Sequence, residues 1–217
     1  MDFVTMIGIA ELLGVAAYAG AGALAAIRRR LDVLGVVCIG VVTAMGGGII
    51  RDIFLGHFPP RFFENGFQVL VAAITALAIF LLKYYHSRIA GEKPLTERIY
   101  YVLDTFGLGA FAVVGVNHAL ASEYGENGFL VITVGVLTCV GGGILRDLFL
   151  VQIPAVFVKH VYALAAIAGT ALYYLLCRIE AGREVSMILC MVIIGLLRGL
   201  AIHYRLNLQR IGTVDEK

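Results

Sequence analysis

Tryptophan is absent from this chain and charge is scarce. Only 15% of the 217 residues are Asp, Glu, Lys or Arg, against 60% hydrophobic residues, and mean hydropathy is +0.92. One soluble core could not bury that much apolar surface, so the chain is read as an integral membrane protein. The missing tryptophans do not leave the membrane interfaces bare, because Tyr84, Tyr85, Tyr100, Tyr101, Tyr124, Tyr173, Tyr174 and Tyr204 lie near span ends and can form the aromatic belt. A formal charge of +2 is too small to suggest a nucleic-acid partner. The four cysteines, Cys38, Cys139, Cys177 and Cys190, stand singly, without CxxC or metal-ligand spacing, and read as small packing residues. Nucleotide-binding loops and Ser-His-Asp arrangements are also missing, which argues against an enzyme and against a cofactor. The alternation of an outer-membrane barrel is absent. The first apolar run carries Glu11, lacks a basic segment before it and is followed by Arg28 to Arg30, which suits a retained span rather than a cleaved signal.

Long apolar runs are what the chain has in abundance. A hydrocarbon layer about 30 Å thick needs roughly 20 residues of helix. Seven such runs are present, near 3–27, 33–55, 66–86, 99–120, 128–151, 158–177 and 185–204. With the N-terminus outside, twelve Lys and Arg fall on the inner side and four on the outer, which sets the C-terminus in the cytoplasm.

The chain repeats itself. "TAMGGGIIRDIFL" (Thr43 to Leu55) returns as "TCVGGGILRDLFL" (Thr138 to Leu150), identical at nine of thirteen positions. "GVAAYAGAG" (Gly14 to Gly22) aligns with "GLGAFAVVG" (Gly107 to Gly115), pairing Tyr18 with Phe111. The fold expected is all-α: a three-helix repeat over residues 1–90, a cytoplasmic linker at 91–98, a second repeat over 99–180, and a seventh helix with a cytoplasmic tail over 181–217. Three spans per unit is an odd number, so the second unit enters the membrane from the opposite side. Such inverted repeats meet near the bilayer centre, where secondary transporters place their substrate site.

At that meeting place the chain puts Gly46, Gly47, Gly48 and Gly141, Gly142, Gly143, each triplet followed by an Arg-Asp pair. Each glycine costs a helix about 1 kcal/mol relative to alanine, so a bend or break is expected, lined by protein or water because freed backbone groups cannot face lipid. Close helix packing by small residues is the competing reading. Pro59 and Pro154, at matching positions, are expected to end the half-helices. The repeat alignment equates Glu11 with Asp104. Glu11, Arg51 and Asp52 then fall in the outer half, and Asp104, Arg146 and Asp147 in the inner half. Neighbouring helix residues point about 100° apart, so each Arg and Asp is expected to find its partner on another span rather than in its neighbour. Ionisable groups at membrane depth cost at least about 2.5–3.5 kcal/mol each and argue for a hydrated path. Each cluster would net one negative charge and favour cations, with Arg198 able to offset part of it. His57, His118 and His160 read as solvated polar residues near span ends, and Lys83 as a snorkelling anchor. Arg28 to Arg30 can also hold anionic lipid.

The doubled motif, extended to "TAMGGGIIRDIFLGHFP" and "TCVGGGILRDLFLVQIP", resembles the prokaryotic branch of the trimeric intracellular cation (TRIC) channel family, over nearly the whole chain and including "LRGLAIHYRL" near its end. That resemblance implies a multi-pass protein of the bacterial inner membrane, with seven helices per protomer and a homotrimeric assembly. It implies one pore per protomer, lined by glycine-kinked second and fifth spans and passing monovalent cations such as potassium. The six motif glycines are then the kinks, with Arg51, Asp52, Arg146 and Asp147 beside them. The lysine signature of the animal members is not seen beside the glycines, so inositol-lipid or calcium regulation is not implied. The same bacterial family is associated with glycine transport, which keeps a small amino-acid carrier as the rival function.

Overall fold

The computed structural model describes residues 3–64, 66–87, 95–158 and 160–204. It is built entirely of helices among those residues: α1 (Phe3–Arg28), α2 (Val33–Phe54), a 3-10 turn (Arg61–Phe63), α3 (Phe67–Ser87), α4 (Leu95–Leu120), α5 (Gly128–Phe149), the short α6 (Ala155–Val158), α7 (His160–Arg178) and α8 (Arg183–His203). Seven of them are long and apolar enough to cross a bilayer. They match the seven expected spans, with one shift. Helix α4 starts at Leu95, so the second half of the expected linker is its first turn, while residues 91–94 lie outside the described residues.

Local chemistry sets the boundaries symmetrically. Asp32 accepts from the Gly35 amide at 2.7 Å to start α2, and Asn127 accepts from the Leu130 amide at 3.1 Å to start α5. Both helices end without help from proline. Leu55 caps α2, Gly56 follows at φ 72°, and the amides of Gly56 and His57 bond the carbonyls of Ile53 and Asp52. The same two bonds close α5, from Val151 and Gln152 to Leu148 and Asp147. This is a left-handed C-terminal cap. Pro59 and Pro154 lie several residues beyond it, so the expectation that they terminate the helices is corrected. The second copy makes its cap with Val151 at φ 51°, a strained conformation for a β-branched residue.

The two three-helix units, α1–α3 and α4, α5 and α7, run in opposite directions, and α8 stands outside the repeat. One end of the bundle carries the start of α1, the end of α2 and the start of α8, and is called here the Phe3 end. There the Arg183 guanidinium lies over the Phe3 ring, and Arg178 of α7 pairs with Glu126 before α5. At the other, the Arg28 end, Arg29 reaches Gln152 after α5, and Lys83 of α3 bonds Thr96 of α4 rather than standing alone as an anchor.

The middle is held by equivalent contacts from each half. Tyr18 and Phe111 face one another with ring centroids 5.3 Å apart. Gly22 lies against Thr43, and Gly115 against Thr138. Each threonine hydroxyl is satisfied within its own helix, at 2.6 Å to Ile39 and Val134. Small residues at these crossings bring the backbones together, which is how helices gain packing energy where lipid removes the hydrophobic drive. Helix α4 is the most enclosed span and α3 the most exposed, and Leu70, Ile74, Leu164, Ile188 and Leu196 present apolar surface outward, as lipid contact requires.

Candidate functional site

The glycine triplets do not break their helices. Helices α2 and α5 run without interruption through Gly46 to Gly48 and Gly141 to Gly143, which corrects the expected break and supports the packing reading. A Cβ added at Gly47 would fall on the Thr138 carbonyl oxygen, and one at Gly142 on that of Thr43. Gly46 faces Leu145 and Gly141 faces Ile50, again as an equivalent pair. Energetics explain the continuity. Three glycines cost a helix about 3 kcal/mol, whereas each unsatisfied backbone group released in hydrocarbon costs several. The cheaper solution keeps the helix and spends the missing side chains on a close α2–α5 crossing.

The charges gather at the two ends of that crossing, in two groups of three. At the Phe3 end, Arg51 Nε donates to Asp52 Oδ1 at 2.8 Å, and Arg51 Nη1 lies 3.8 Å from Glu11 Oε1. At the Arg28 end, Arg146 Nε donates to Asp147 Oδ1 at 2.8 Å and Arg146 Nη1 to Asp104 Oδ1 at 2.9 Å. The repeat alignment of Glu11 with Asp104 thus identifies the acid that each arginine meets on another span. The expectation that each finds its partner on another span rather than in its neighbour is corrected in part: each arginine meets an acid on another span and also bonds its neighbouring aspartate. Both stand in the last turn of their helix, where the arginine can fold its guanidinium back onto the adjacent carboxylate.

Each motif aspartate has a second task. Asp52 Oδ2 accepts from the backbone amide of Arg61 at 2.9 Å, and Asp147 Oδ2 from that of Ala155 at 2.8 Å. Gln152 Nε2 adds a bond of 2.8 Å to Asp147. These carboxylates therefore pin the chain as it turns back after α2 and α5, starting the 3-10 turn and α6 respectively.

Two arginines alter the expected charge sums. Arg61 Nη1 reaches His118 Nδ1 at 2.6 Å and its Nη2 reaches His57 Nε2 at 3.0 Å. The guanidinium can only donate, so both ring nitrogens accept, and the two histidines are structural partners rather than solvated residues. At the other end, Arg198 Nη2 donates to Asp104 Oδ2 at 2.9 Å, and its guanidinium lies 4.1 Å from the centroid of the Tyr162 ring. A similar stack holds Tyr100 near both Arg28 and Arg146. With Glu64 beside it, the Phe3-end cluster has three carboxylates against two guanidiniums and keeps a net negative charge. At the Arg28 end the bonded group of Asp104, Asp147, Arg146 and Arg198 is neutral, and Arg28 and Arg29 border the cavity beside it. The partners of Arg61 and the tyrosine stacks carried no sequence signal, because each depends on which loop folds over which helix.

Water-sized space differs between the ends. A cavity of about 260 Å³ enters at the Phe3 end and is lined by Glu11, Gly48, Arg51, Asp52, Glu64 and His118 among others. Glu11 is 20% exposed there. A cavity of about 370 Å³ enters at the Arg28 end, lined by Arg28, Arg29, Tyr100, Asp147, Gln152 and Ala155 among others. Asp104, Arg146 and Arg198 line neither, and are at most 5% exposed.

Seven spans, inverted repeats and polar cavities entering from both faces define a membrane protein of the channel and transporter class. The family model described as glycine transporter matches residues 8–84 and 101–178, once in each repeat. The UPF0126 inner membrane protein YadS of Escherichia coli K12 is 34% identical over 203 residues, covering 91% of this chain and 92% of that protein. A UPF0126 membrane protein of Deinococcus radiodurans is 38% identical over 76% of this chain and 74% of its own. Among solved structures, one described in work on conductance through TRIC cation channels superposes with a TM-score of 0.81 at 32% identity, covering 98% of both chains. The TRIC orthologue from Rhodobacter sphaeroides superposes with a TM-score of 0.82 at 31% identity, covering 93% of this chain and all of its own. The chain belongs to the prokaryotic branch of the trimeric intracellular cation channel family, and it has the fold of those channels.

Proposed function

We propose that the protein is a channel for monovalent cations, permeable to potassium, with one path in each protomer of a homotrimer in the inner membrane. The path runs beside the α2–α5 crossing, from the cavity carrying Glu11, Arg51 and Asp52 toward Asp104, Arg146 and Asp147. One observation carries the reading: a cavity of about 260 Å³ reaches the crossing and holds a partly exposed carboxylate, Glu11, within a cluster of net negative charge. Such a mouth concentrates cations over anions. The likeness to cation channels adds support and weighs against an enzyme. From the distribution of Lys and Arg, the Phe3 end faces outside and the Arg28 end the cytoplasm.

A carrier of a small amino acid such as glycine is the second reading. It is favoured by the matching family description and by two cavities separated by a buried layer, as alternating access requires. Purified protein in liposomes separates the two. Unitary currents in a potassium gradient, reversing on the cation side, are expected of the channel. Saturable glycine uptake without unitary currents would replace it with the carrier.

A further inference from the structure

The inverted repeats invite a comparison of Glu11 with Asp104, and there the two halves part. Around Glu11 the nearest guanidinium is held loosely, at 3.8 Å, and the carboxylate borders a cavity. Asp104 is 1% exposed and accepts from two guanidiniums, Arg146 and Arg198, at 2.9 Å each. The second of these comes from α8, which has no counterpart in the repeat. Arg198 is therefore the residue that the half of the path at the Arg28 end gains from outside the repeat.

Arg198 is poorly satisfied for a buried cation. It is 5% exposed, yet its Nε and Nη1 find no hydrogen-bond partner among the described residues, and a buried donor left without one is costly. A group placed only for stability would hold more of its bonds. The helix that carries it is also open along one flank. It is among the less enclosed spans. A groove of about 750 Å³ separates its outer flank from α4. Gly195 and Gly199, either side of Arg198, have open space where a Cβ would stand, so the groove-facing side of α8 is unpacked at that level, while Ile194 on its other side lies close against Gly169 of α7. Guanidinium and permeant cation compete for the same carboxylate chemistry.

We propose that Arg198 is a tethered cation that blocks the path at Asp104 and sets its conductance, and that outward displacement of α8 withdraws it, leaving Asp104 to a permeant cation. The proposal rests on the channel reading above. With Arg198 seated, Asp104 is enclosed and its bonded group is balanced in charge; with it withdrawn, Asp104 and Asp147 outnumber Arg146.

The test uses full-length protein in liposomes under a potassium gradient. Arg198→Gln is expected to raise cation flux about tenfold, the scale of losing one charge-assisted hydrogen bond, and to shift the reversal potential further toward potassium. Arg198→Lys, which keeps the charge but not the stack on Tyr162, should raise flux less than Arg198→Gln does. Flux and reversal potential unchanged in a folded Arg198→Gln protein would overturn the inference while leaving the channel reading intact. Wild type passing no cations would remove both. A second measurement does not depend on that variant folding. A Cβ added at Gly109 would lie 3.6 Å from that of Met191, within disulfide range, so oxidation of a Gly109→Cys, Met191→Cys protein should staple α8 to α4. Once the cross-link is verified, conductance should fall well below that of the single-cysteine controls and return on reduction; equal flux in the cross-linked and reduced protein would refute the displacement of α8.

Discussion

Replacing Gly47 with alanine distinguishes a hinge from a packing contact. The new methyl would meet the Thr138 carbonyl oxygen, a backbone atom of a continuous helix that cannot rotate aside. Overpacking of this kind costs about 1–3 kcal/mol, and the upper half applies to a rigid neighbour. Alanine returns about 1 kcal/mol of helix propensity. The net loss is then about 1–2 kcal/mol, or a fall of roughly 2–8 °C in thermal midpoint for a chain of this size. Gly142→Ala, meeting Thr43 in the same way, should match it. Gly48→Ala should not, because the nearest atom to its added Cβ is Arg51 Nη2 at 3.7 Å, so the propensity gain stands alone and stability holds or rises. Thermal unfolding of the three purified variants in one detergent reads the difference. If Gly47→Ala melts at or above wild type, the glycines are not spacers for the α2–α5 crossing and the hinge reading returns.

Two further outcomes follow from the charges. Asp147→Asn keeps the side-chain shape but removes the charge from a carboxylate holding Arg146, Gln152 and the Ala155 amide; breaking a buried pair from one side costs about 3–5 kcal/mol, so the variant should lose stability or fail to purify as a folded protein, and wild-type melting would show that the aspartate does not hold the turn. Glu11→Gln alters a partly exposed group with a loose partner, so stability should change by less than about 1 kcal/mol while the reversal potential in a salt gradient moves toward anions; an unmoved potential would take Glu11 out of the ion path.

Much of the fold is legible in the residues. Apolar run lengths define the seven spans, and an odd number of spans per repeat forces the inversion. The first and fourth spans, aligned with one another, pair Glu11 with Asp104 and so identify the acids that meet Arg51 and Arg146. The glycine triplet shows where the reading of local propensity reverses. Its cost to an isolated helix is real, but propensity is counted one helix at a time, and the gain lies in the contact of Gly47 with the facing Thr138 carbonyl. The same limit applies to Asp52 and Asp147, whose second partners are amides nine and eight residues onward, brought back by turns whose path no periodicity encodes.

Composition, repeat length and the duplicated motif determine a membrane bundle of two opposed halves with charge buried in each, because transfer energies and span counting act residue by residue along the chain. Whether those charges are wet or dry was decided in three dimensions. Glu11 borders a cavity while its counterpart Asp104 is enclosed by Arg146 and Arg198, and that difference arises because an unrepeated helix packs chiefly on α4 and α7, in one of the two repeated halves.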